Sequence, residues 1–155
     1  ATQLGHGKES ASGLIMIIAV SGLLGKLLFG VAADIINQKV ALLAAHVLLA
    51  IGFVLFATEP CYALIVVACV SIGLAAGGML PIWGGLIASI FGVQSYGRAF
   101  GLMGPIITMF VMMGFPLVGR LYDVTGSFSF GLWISAALMG VAAILLVPLR
   151  IYKKS

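Results

Sequence analysis

The chain has 155 residues, 63% of them hydrophobic and 8% charged, with eight Lys and Arg against four Asp and Glu for a net charge of +4. Soluble domains carry roughly 45–50% apolar and about 25% charged residues, so this chain cannot cover a water-facing surface. Its basic residues sit singly between apolar runs and gather only at Arg150, Lys153 and Lys154. That pattern excludes a nucleic-acid surface, which needs a basic stripe, and fits anchoring to membrane lipid.

The polar start, residues 1–10, has no Met and no basic region leading into a short apolar core, so no signal peptide is visible. It reads as a loop cut from something longer. The first apolar run covers residues 11–33 and is interrupted only by Lys26. A polar turn, 34–39, holds Asp34, the one carboxylate near that run, and closes on Lys39. The second run, 40–57, contains His46. The third, 62–90, is too long for one straight untilted crossing and carries Gly77, Gly78 and Pro81, with Gly84 and Gly85 just beyond. The fourth, 99–118, holds Pro105 and Pro116, and the fifth is 128–149.

A span needs about 20 apolar residues, and backbone in lipid must satisfy its own hydrogen bonds. The five runs are therefore expected to be transmembrane helices of an all-α membrane protein. Strand-like alternation is absent, which argues against a barrel. Five crossings put the termini on opposite sides. Lys39, Arg98, Arg150, Lys153 and Lys154 then share one side and Lys8 and Arg120 the other. The positive-inside rule predicts a multi-pass plasma (cell inner) membrane protein with its N-terminus outside and its C-terminus in the cytoplasm.

Lys26 is the sharpest candidate for chemistry. It lies about 12 Å inside the Asp34 end of its helix, near the bilayer midplane. A lysine there costs about 2.5–3.5 kcal/mol on insertion scales and marks a substrate or ion route by default; the bland alternative is a snorkelling or packing lysine. His46 lies about 10 Å inside the next helix. It can bridge helices as a neutral polar group or relay protons. Asp34 can accept backbone N–H bonds at the start of a neighbouring helix, or sit in a solvated turn. Gly73-x-x-x-Gly77 and Gly97-x-x-x-Gly101 have the spacing that lets helix backbones approach. Pro81 among its glycines makes the third helix a candidate for bending, against plain close packing.

Catalytic constellations are missing. All four acids fall in links, so no pair suits general acid–base work within a span, and the chain does not read as an enzyme. Gly5-His6-Gly7-Lys8-Glu9 lacks the spacing of a phosphate-binding loop. No metal-ligand spacing appears, so neither metal nor cofactor is expected. Cys61 and Cys69, if on one helix, are about 12 Å apart and cannot bond.

The stretch Gly30-Val31-Ala32-Ala33-Asp34-Ile35-Ile36-Asn37-Gln38-Lys39 resembles the loop signature of the major facilitator superfamily, Gly-x-Leu-Ala-Asp-Arg-x-Gly-Arg-Lys. Gly30, Ala33, Asp34 and Lys39 match, whereas Ala32, Ile35, Asn37 and Gln38 depart from it. Gly25, one residue before Lys26, opens the same segment. Gly77-Gly78-Met79-Leu80-Pro81 looks like the glycine-rich tenth helix of such transporters. Residues 91–101 look like the cytoplasmic loop that follows, and 119–128 like the outer link before the last helix. The resemblance implies that residues 1–155 are a partial C-terminal transmembrane half-domain, helices eight to twelve of a twelve-helix fold; a weaker register gives helices two to six. It further implies alternating access around a midplane site shared with the missing N-terminal half. Lys26 falls where monocarboxylate and related organic-anion porters carry a cation, which implies a small anionic substrate. The rival class is a non-transporting multi-helix membrane subunit or sensor module.

Overall fold

The computed structural model describes residues 8–58 and 61–148, with side chains from Ser12 onward. Arg150, Lys153 and Lys154, which entered the orientation reading, lie outside the described residues. Within them five helices follow in order: α1 (Lys8–Ile35), α2 (Gln38–Ala57), α3 (Tyr62–Phe91), α4 (Tyr96–Thr125) and α5 (Ser129–Leu146). Each is long and apolar enough to cross a membrane, and the described residues form no strand.

The first four helices outrun the apolar segments that announce them, most of all α4, which extends from the expected 99–118 to Tyr96–Thr125, whereas α5, Ser129–Leu146, falls inside the expected 128–149. Hydropathy marks where a helix meets hydrocarbon, while capping marks where it ends. Arg120 and Asp123 remain helical because a polar side chain at the membrane edge costs the backbone nothing. The stop comes at Gly126, whose φ of 67° is left-handed and whose N–H bonds to Tyr122 O at 2.8 Å. At 30 residues each, α3 and α4 are about 45 Å long. They therefore tilt or protrude from a hydrocarbon layer of about 30 Å.

α3 is the centre of the bundle. α1 and α2 pack along it, α5 packs on α2, and α4 touches α3 and α5 lightly without burying a single residue. The α1–α3 contact is backbone against backbone. Gly22 and Gly25 of α1 meet Gly73, Leu74 and Gly77 of α3, and Phe29 lies over Gly78. Lipid gives no hydrophobic drive between helices, so close approach and dispersion do the work, and glycine permits both. Cys69 is buried against Leu14 and Ile65 at one end of this seam. At the other end Ala33, Ala41, Leu42, Ala45 and Ile82 form a core, covered by Phe29, Trp83 and Leu146.

Polar groups inside the bundle are handled locally. Ser21 donates to Ile17 O at 2.6 Å and Ser71 to Val67 O at 2.9 Å, each one turn back on its own helix. No buried side-chain nitrogen or oxygen among the described residues lacks a partner. The outer face of α1 exposes Leu23, Leu24, Leu27 and Leu28. In water that row would be an aggregation hazard; against acyl chains it is neutral.

Candidate functional site

Helix periodicity decides where Lys26 can go. The face of α1 that meets α3 carries Leu14, Ser21, Gly25 and Ala33, all buried. Lys26 follows Gly25 by one residue, about 100° further round the helix. It is therefore at the flank of the seam and exposed. It lies nine residues before Ile35, the last residue of α1, which is about 14 Å along the axis. Among the described residues no carboxylate pairs with it. Gly25 itself is buried, and a Cβ there would run into the Leu74 backbone. The lysine is thus carried on a helix whose rotation is locked by its neighbour.

His46 is half-buried on α2, and its Nδ1 lies 2.8 Å from Leu42 O, one turn back. A carbonyl only accepts, so Nδ1 carries the hydrogen and, in the neutral ring, Nε2 is left as an acceptor. The structure does not bring His46 and Lys26 together on one element: α1 and α2 have little mutual contact because α3 lies between them.

The signature turn is built differently from its reading as a sequence. Asp34 is exposed in the last turn of α1. The cap of α2 is supplied by Asn37, whose Oδ1 accepts from Lys39 N at 3.0 Å. Lys39 does not close the turn. Its Nζ donates to Val147 O at 2.6 Å, at the end of α5 and 108 residues away. A cation in the first turn of a helix opposes that helix's dipole. Here it serves the carboxyl end of another helix, where the dipole favours it.

Pro81 is inside α3, which remains one continuous helix from Tyr62 to Phe91. Gly77 and Gly78 are contact points with α1: a Cβ at Gly77 would overlap the Gly22 carbonyl, and one at Gly78 the Phe29 ring. Gly30 faces Pro81, with 4.0 Å between an added Cβ and the proline Cβ. The Gly97 and Gly101 pair, with the same spacing as Gly73 and Gly77, meets nothing within 4 Å among the described residues. α4 turns its Tyr96, Ala99 and Met103 side to the bundle and these glycines away from it.

Several contacts had no sequence signal. Gly84 and Gly85 are seats for polar side chains: an added Cβ would be 3.3 Å from the Tyr96 hydroxyl at the first and 3.0 Å from Gln38 Nε2 at the second. Ser89 Oγ lies 3.1 Å from Gln38 Oε1 and 2.8 Å from Leu86 O. These contacts bring the start of α2, the end of α3, the start of α4 and the end of α5 to one end of the bundle, so Lys39 and Arg98 share a side. No metal-holding cluster of His, Cys, Asp or Glu occurs among the described residues.

The whole chain, residues 1–155, matches the profile of the Major Facilitator Superfamily. The chain belongs to that family. It is a family of transporters rather than enzymes, so this is a multi-pass membrane protein of a transporter lineage. The chain is 27% identical over 149 residues to human monocarboxylate transporter 14, covering 92% of this chain and 29% of that protein. It is 26% identical over 148 residues to rat monocarboxylate transporter 13, covering 94% of this chain and 35% of that protein. It thus spans about a third of the length of these relatives. No solved structure gives a significant match.

Proposed function

We propose that this chain is part of a secondary transporter that moves a small organic anion by alternating access, with Lys26 binding the substrate's carboxylate. The observation that carries this reading is the exposed ammonium of α1, about 14 Å inside the end of its helix, set beside a glycine seam that fixes that helix and without an anionic partner among the described residues. Such a cation is stable in a membrane when it faces a hydrated cavity or pairs with an anion, and a substrate carboxylate is one. The family and the names of the relatives, monocarboxylate transporters 13 and 14, support the class of solute.

In this reading the chain contributes helices eight to twelve. The missing N-terminal half supplies the opposite wall of the cleft, the two halves rock about the midplane, and α3 bends at Gly77, Gly78 and Pro81. The end that carries Lys39 and Arg98 faces the cytoplasm of a plasma or inner membrane, by the excess of basic residues there. His46 offers Nε2 for proton coupling.

The test is uptake of radiolabelled organic acids into vesicles containing the full-length parent, with and without a proton gradient. Lys26→Ala abolishes uptake while membrane insertion is retained, and Lys26→Arg keeps a measurable fraction because the charge survives. Wild-type uptake by Lys26→Ala refutes the assignment.

A further inference from the structure

The wrong-end lysine of α2 has company. Asn37 caps the helix and fixes its first turn through Lys39 N. From that turn Gln38 and Lys39 reach in two directions. Lys39 Nζ takes the last carbonyl region of α5 through Val147 O, at 2.6 Å. Gln38 lies along Gly85 and meets Ser89 in the last turn of α3. The Ser89 hydroxyl has one hydrogen, and Leu86 O is the nearer acceptor at 2.8 Å. With the Gln38 amide turned over, its NH2 donates to Ser89 Oγ while the hydroxyl keeps Leu86, so both contacts are satisfied at once. Directly beneath, the core of Ala41, Leu42 and Ala45 with Ile82 and Leu146 joins the same three helices.

We propose that the first turn of α2 is a two-pronged polar clamp, Lys39 on α5 and Gln38 on α3, that makes α2, α3 and α5 one rigid body at this end of the bundle. The clamp matters to any cycle in which this end opens. The clamp does not depend on which solute is carried.

The test is hydrogen–deuterium exchange of the full-length protein in lipid nanodiscs, read peptide by peptide without substrate, so it stands or falls separately from transport. Lys39→Met speeds exchange in the last turn of α5 by about fivefold, the value of one solvent-exposed hydrogen bond of typical net strength, and leaves the middle of α4 unchanged. Lys39→Arg stays within about twofold of wild type, because a guanidinium also donates to a carbonyl. Gln38→Leu speeds the last turn of α3 and not α5. If Lys39→Met fails to fold, Gln38→Leu carries the test. Unchanged exchange at the helix end each residue serves, or a uniform rise across all five helices, overturns the clamp.

Discussion

Replacing Gly77 by alanine adds one methyl group where the α1 and α3 backbones touch. The new Cβ would overlap the Gly22 carbonyl oxygen and lie 2.8 Å from Gly22 Cα. Carbon–carbon contact is comfortable only from about 3.5 Å, and the carbonyl oxygen is closer than the Cα, so the helices must part by at least about 0.7 Å, because backbone cannot rotate away as a side chain can. A gap of that size forfeits a quarter to a half of each dispersion contact of about 0.1–0.2 kcal/mol along the seam. The loss is about 2 kcal/mol, in line with the usual cost of overpacking, and shifts the folding equilibrium roughly 30-fold. Intrinsic helix propensity works the other way, favouring alanine by up to about 1 kcal/mol, so the sign of the effect is diagnostic. Gly101→Ala is the matched control: the same substitution and the same four-residue spacing, but nothing within 4 Å of the added methyl. Denaturation of the purified protein in bicelles, followed by circular dichroism, should show Gly77→Ala clearly destabilised and Gly101→Ala unchanged or stabilised. Equal stabilities for the two variants, within about 0.5 kcal/mol, would refute the backbone-contact reasoning.

Two further outcomes follow from the same geometry. Asn37→Ala removes the acceptor for Lys39 N and should cost about 1 kcal/mol of stability in the same denaturation assay, with Asn37→Ser recovering most of it; a loss-free alanine variant would show that water caps α2 equally well. His46→Gln keeps a side-chain donor near Leu42 O but loses the titratable ring. If Nε2 relays protons, the variant keeps solute exchange across vesicles and loses accumulation driven by a proton gradient, and unchanged gradient-driven accumulation would remove His46 from the coupling path.

Much of this architecture could be read from the chain without coordinates. The five apolar runs, the short polar links and the absence of soluble-surface composition led to five helices because lipid leaves the backbone no alternative. Glycine spacing was less informative. Gly73 and Gly77 share their spacing with Gly97 and Gly101, yet the first pair forms the α1–α3 seam and the second meets none of the described residues within 4 Å. Spacing states which residues share a helix face; it does not state which face finds a partner. The signature around Asp34 shows the same limit. Its residues are contiguous, so sequence placed them in one turn, but Lys39 acts on Val147 and Gln38 on Ser89, and separations of 108 and 51 residues carry no local pattern.

What the sequence determined alone, then, is what depends on a residue's own surroundings in the chain: which segments are long and apolar enough to enter lipid, and that Lys26 lies within one of them; two acids expected in the links lie instead in the last turns of helices, Asp34 in α1 and Asp123 in α4. The tertiary structure decided the pairings. It set α3 between α1 and α2, put Lys26 at the flank of a locked seam instead of within it, gave the cap of α2 to Asn37, and turned a lysine at the unfavourable end of one helix into a cap for the favourable end of another. The physical reason is the range of the forces. Hydrophobic transfer and backbone hydrogen bonding act over a few residues and leave a periodic trace, whereas helix contacts and the polar bonds between helix ends exist only after distant segments have met.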